Sequence, residues 1–79
     1  MGVTYNLCFW NVRGLGDKGK CGDVLSELLS SSPHLVLLQE TKLTDPDLSK
    51  IYSFLPRLLD SFRFSNAVGA SGWILTAWP

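Results

Sequence analysis

The 79-residue sequence lacks a charge of either sign in excess: seven Lys and Arg stand against seven Asp and Glu, and the formal net charge is zero. No basic surplus advertises nucleic-acid binding, although a local basic edge stays compatible with this balance. Cysteine is scarce. Two residues, Cys8 and Cys21, do not make a disulfide scaffold. Cys8 lies in an apolar run and Cys21 on an expected helix, so both read as reduced, small core residues of an intracellular chain. No stretch approaches the ~18 apolar residues of a membrane span. The N-terminus has neither the basic lead nor the long apolar segment of a signal peptide. The expected location is therefore nuclear or cytoplasmic, with no membrane partner. There are no repeats, and the trio Ser30, Ser31 and Ser32 is the one low-complexity stretch.

What is present is a globular composition, 46% hydrophobic and 18% charged. A chain this short is one small domain or a piece of one, and buries only about 60% of its unfolded surface.

The order of patterns predicts an α/β fold. Residues 4–12 (TYNLCFWNV) are aromatic and β-branched and read as a strand. Asp17 is a candidate N-cap. Cys21, Val24, Leu25, Leu28 and Leu29 follow i, i+3, i+4, i+7, i+8 spacing, which predicts a helix over 20–31, ended by the serines and Pro33. Gly22 weakens its first turn by about 1 kcal/mol relative to Ala. Residues 34–40 (HLVLLQE) form a continuous apolar run, expected as an inner parallel strand buried on both faces. Strand, helix and strand then form a crossover unit with the two strands side by side and parallel. Leu48, Ile51, Tyr52, Leu55, Leu58 and Leu59 return to helical spacing, interrupted by Pro56, so a short helix is expected over 47–54. A hairpin is expected over 62–78, with its strands joined through Gly69–Gly72.

The stretch WNVRGLGDKGKC (residues 10–21) supports three readings. Gly14, Gly19 and Lys20 make most of a triphosphate loop, but Cys21 stands where a hydroxyl would hold Mg²⁺, and a thiol is a poor ligand for a hard cation. Gly14, Gly16 and Gly19 match G-x-G-x-x-G, with Glu40 about 20 residues on as a ribose-binding acid. Against this nucleotide-binding reading, the amphipathic pattern starts only at Cys21, and an aromatic hairpin follows Glu40 instead of another crossover strand. The third reading looks at strand ends. If the two strands are parallel neighbours, Asn11 and Glu40 meet at their carboxyl-terminal tips, where open α/β sheets carry their sites. An acid after so apolar a run needs a cation, a donor or water. One or two carboxylates with phosphate oxygens and waters commonly hold Mg²⁺.

FWNVRGLG followed by LVLLQETKL resembles the endonuclease/exonuclease/phosphatase superfamily, most closely the endonuclease domain that opens the reverse-transcriptase protein of plant LINE-type retrotransposons. The two signatures occur in the family's order and spacing, and VGASGWILTAW (residues 68–78) is similar to its next hairpin. The resemblance implies hydrolysis of phosphoric esters in DNA with Mg²⁺, or alternatively Mn²⁺. It implies that Glu40 is a metal-ligating catalytic acid and Asn11 the amide beside the metal. It also implies a four-layered α/β sandwich, of which these residues are the N-terminal part. Trp73 replaces the second Gly of the family's Ser-Gly-Gly hairpin, and Ala70 stands where a basic residue is common. The family's tyrosine, Asp-x-Asn pair and final Asp-His pair come later than residue 79. His34 begins the second strand and cannot be the base.

The expectation is thus a fragment of retroelement origin, inactive alone, whose unpaired sheet could self-associate. The competing expectation is a non-catalytic α/β interaction module. Lys18 and Lys20 read as a solvated helix start, Arg13 and Lys42 as solvated or, alternatively, as contacts to a phosphate backbone, and Phe9, Trp10, Trp73 and Trp78 as core rather than base-stacking platforms.

Overall fold

A computed structural model describes residues 6–43, 46–66 and 73–79. The chain is a small mixed α/β domain. Its elements run β1 (Leu7–Asn11), α1 (Lys18–Ser31), β2 (Leu35–Gln39), α2 (Leu48–Ile51), β3 (Ser61–Asn66) and β4 (Trp73–Trp78). The four strands form one mixed sheet in the order β1-β2-β4-β3. β1 and β2 are parallel, with Asn11 opposite Gln39. β4 runs antiparallel to both β2 and β3. The expected strand–helix–strand unit and the antiparallel strand pair are both present. The Gly69–Gly72 connection lies outside the described residues.

Local chemistry sets the helix ends. The Asp17 carboxylate accepts from the Gly19 N–H as N-cap of α1, and Ser32 closes the helix in the left-handed region at φ 46°. Asp47 caps α2 through the Lys50 N–H. That helix spans four residues, shorter than the expected 47–54, and residues 52–55 continue as turns. Pro56 then enforces the break.

The core lies on one face of the sheet. Val36 and Leu38 of β2 and Leu75 and Ala77 of β4 are buried against Cys21, Val24 and Leu28 of α1 and against Ile51, Phe54, Leu55 and Leu59. Cys8, Trp10, Phe62 and Phe64 pack at its margins. Phe62 and Phe64 meet edge-to-face with ring centroids 6.4 Å apart. Both cysteines are free; Cys21 is buried and Cys8 half-buried.

The opposite face departs from expectation. β2 is central, yet Leu35 and Leu37 are only half-buried. Phe9 is 65% exposed and Trp78 40%, so neither is core. The pleat explains this. Leu7, Phe9, Leu35, Leu37, Ile74 and Trp78 all point away from the helices, and among the described residues no second layer covers them. Leu29, Leu48 and Leu58 are likewise exposed despite their helical spacing. α2 ends too early to carry that spacing as far as Leu58.

The alternation along β2 gives a sharp test. Leu38→Ala should lower the unfolding free energy by about 2–5 kcal/mol. Leu37→Ala, one residue away on the open face, should cost about 1 kcal/mol. Urea unfolding of the two variants reads the difference, and equal losses would mean that both faces are covered.

Candidate functional site

The site begins with the end of β1. Asn11 is the last residue of that strand, and Glu40 follows directly on β2. Because the strands are parallel and in register, both side chains emerge at the same edge of the sheet. The Asn11 Nδ2 group donates to Glu40 Oε2 at 2.5 Å. The Arg13 N–H donates to Asn11 Oδ1 at 3.2 Å, so the amide is held at both ends. The convergence expected from the sequence is therefore a direct contact.

Backbone geometry reinforces it. Beyond the strands, pairing continues through loop residues: the Val12 N–H donates to the Gln39 carbonyl at 3.0 Å, Gly14 N–H to Glu40 carbonyl at 2.7 Å, and Leu15 N–H to Thr41 carbonyl at 3.0 Å. On the other side the Thr41 N–H donates to the Trp73 carbonyl at 2.9 Å. Thr41 is completely buried, and its Oγ1 accepts from the Leu43 N–H. Arg13, Glu40 and Lys42 all adopt positive φ near 55°, and Gly14 sits at φ 103°. A left-handed conformation costs a non-glycine residue about 1–2 kcal/mol. Three such residues at one strand tip mark a backbone over-determined by its surroundings. Nothing in the residue types announces this, and the burial of Thr41 between Glu40 and Lys42 has no signal in the sequence either.

The donor set is of hard oxygens. Glu40 keeps one carboxylate oxygen, Oε1, beyond its bond to Asn11, and Asn11 Oδ1 keeps a second lone pair. Such oxygens suit Mg²⁺ in kind. In number they are part of a site: among the described residues no group of three or more His, Cys, Asp or Glu could hold a metal. Arg13 and Lys42 are exposed beside the tip. His34 lies at the opposite end of the same strands, where its Nδ1 accepts from the Asn6 N–H at 2.9 Å, so it cannot reach this tip.

The third glycine, Gly19, does not make the close helix–sheet approach that a dinucleotide loop needs. A Cβ at Gly16 would meet nothing within 4 Å, and one at Gly19 would meet only the Asp17 side chain. The helix N-terminus that would receive an anion already carries the Asp17 carboxylate. Cys21, in the hydroxyl position of a triphosphate loop, is buried with its thiol donating to the Leu15 carbonyl at 3.2 Å. Gly14 serves the turn itself. Its φ is one that side chains rarely adopt, and the Lys42 stem lies 3.6 Å from where a Cβ would be.

Comparison of the sequence with protein-family models and with curated proteins gives no match. Among the described residues no helix is long and apolar enough to cross a membrane.

The strain at Glu40 predicts a trade between stability and the site. Glu40→Gly should be about 1 kcal/mol more stable than Glu40→Ala in urea unfolding, because both variants lose the hydrogen bond to Asn11 and only glycine relieves the left-handed residue. A Gly variant no more stable than the Ala variant would mean that the conformation carries no strain.

Proposed function

We propose that the chain is the N-terminal part of a Mg²⁺-dependent phosphodiesterase domain of retroelement origin, acting on DNA in its complete form and without efficient nuclease activity alone. The Asn11–Glu40 hydrogen bond across the tips of two adjacent parallel strands carries this reading. It supports Glu40 as the metal-ligating carboxylate and Asn11 as the residue that orients it, with the amide oxygen available as a further donor. A cation bound there would stabilise charge developing on phosphate oxygens. Asn11, fixed by the Arg13 N–H, would hold the Glu40 carboxylate in one orientation. Arg13 and Lys42 flank the tip and suit a phosphate backbone. The proposed lack of activity rests on the donor count among the described residues and on the distance of the histidine from this tip. A general base contributes typically 10²–10⁴-fold, and the only histidine is bonded to Asn6 at the far end of the strands.

Mn²⁺ titration of the isotopically labelled chain tests the metal role by paramagnetic broadening. Amides of Asn11, Arg13, Glu40 and Thr41 should broaden first, and Glu40→Gln should remove the effect while leaving the rest of the spectrum unchanged. Equal broadening in the variant would overturn the role of Glu40. Plasmid nicking with Mg²⁺ should be undetectable for both proteins, and nicking that depends on Glu40 would overturn the incompleteness.

A second reading, a non-catalytic interaction module, is favoured by the open apolar face of the sheet, with Phe9 65% exposed. On this reading the chain pairs with itself through that face. Sedimentation equilibrium should then show concentration-dependent association that Phe9→Lys weakens by about tenfold or more. A monomer at all concentrations would count against it.

A further inference from the structure

The outer edge of β1 combines features that neither reading uses. β1 is the end strand of the sheet. The Val12 N–H and the Asn6 carbonyl both bond toward β2 and the segment that leads into it. Backbone polar groups alternate along a strand, so Leu7, Phe9 and Asn11 turn their N–H and C=O groups outward. Among the described residues no strand pairs with them. The sequence LCFWN also lacks the Lys, Pro or bulge with which exposed edges are usually blunted.

The two flanks of this edge differ in chemistry. On the helix side, a groove of about 420 Å³ is lined by Cys8, Phe9, Trp10, Asp23 and Glu27. Its two carboxylates are four residues apart on α1 and solvent-exposed, and among the described residues no cation lines the groove. Burial and then the nearby Glu27 carboxylate push the Cys8 thiol above its ordinary pKa, so Glu27 acts electrostatically at the strand itself. On the other side, Leu7 and Phe9 present exposed apolar surface.

We propose that the β1 edge binds an extended segment with cationic side chains at i and i+2 and apolar side chains between them, added to the sheet as a fifth strand. Its backbone would pair with Leu7, Phe9 and Asn11. Its apolar side chains would lie beside Leu7 and Phe9, and its cations would enter the acidic groove. The spacings agree. Four helical residues advance ~6 Å, and two strand residues of the same face are ~6.6 Å apart, so one Lys or Arg meets Asp23 and the next meets Glu27. A second copy of the chain fits worse. Pairing of β1 with itself would bring two acidic grooves together. Pairing of β1 with the β3 edge of another copy would supply one cation, Arg63, with Ser61 and Ser65 at the positions two residues away, where the groove's second carboxylate would go unmatched.

The test uses the full chain and the peptide acetyl-Lys-Val-Lys-Val-Lys-Val-amide. Binding should slow hydrogen exchange at the Leu7, Phe9 and Asn11 amides at least tenfold, protect Cys8 from alkylation, and weaken with salt. The double variant Asp23→Asn/Glu27→Gln should bind about tenfold more weakly. The same peptide with Glu in place of Lys should not bind the unaltered chain, and that arm does not depend on how the variant folds. Equal affinity for the two peptides, or protection confined to residues outside β1, would overturn the proposal.

Discussion

The parallel pairing of β1 with β2 is the constraint on which the rest of this domain depends. It is closed at both ends by bonds outside the strands: the His34 N–H to the Asn6 carbonyl at one end, and the Gly14 N–H to the Glu40 carbonyl at the other. Between them, the register brings Asn11 and Glu40 to one tip, turns Cys8, Trp10, Val36 and Leu38 toward the helices, and turns Leu7, Phe9, Leu35 and Leu37 away from them. The site, the core and the open apolar surface are three consequences of one ladder.

Much of this is legible in the sequence because it depends on period and order. Asp17 as N-cap, the burial of Cys21, Val24 and Leu28, and the adjacency of the two strands follow from spacing and from the connectivity of parallel strands. The meeting of Asn11 and Glu40 follows from the same connectivity, since both stand at strand ends. What cannot be read is the side of β2 that is covered. HLVLLQE is apolar on both faces, and apolarity alone does not say whether a second layer is present. Phe9 and Trp78, expected in the core, are exposed for that reason. The helical spacing from Leu48 to Leu59 misleads for another: Pro56 and the turn residues before it end the helix after one turn, so spacing without continuity fixes no face.

The glycines of the loop illustrate how a motif separates from its mechanism. A dinucleotide loop needs its third glycine for close helix–sheet packing, and here a Cβ at Gly19 would meet only a cap residue's own side chain. The informative geometry lies in residues with side chains. Arg13, Glu40 and Lys42 hold left-handed conformations that glycine would adopt more cheaply. The carboxylate at position 40 thus stands on a left-handed backbone, in a loop bonded to its neighbours on both sides.

The apolar sameness of β2 bears on how its alignment is chosen. A shift by one residue would exchange Val36 and Leu38 for Leu35 and Leu37 in the core, a change of little more than one methylene group. Hydrophobic burial therefore discriminates weakly between the two registers, unlike in strands whose polar and apolar residues alternate. Selection of the native alignment falls to the polar ends, where the side chains of His34 and Glu40 meet Asn6 and Asn11 in the native register. The residues that form the candidate site are in this way also the residues that tell the sheet which way to pair.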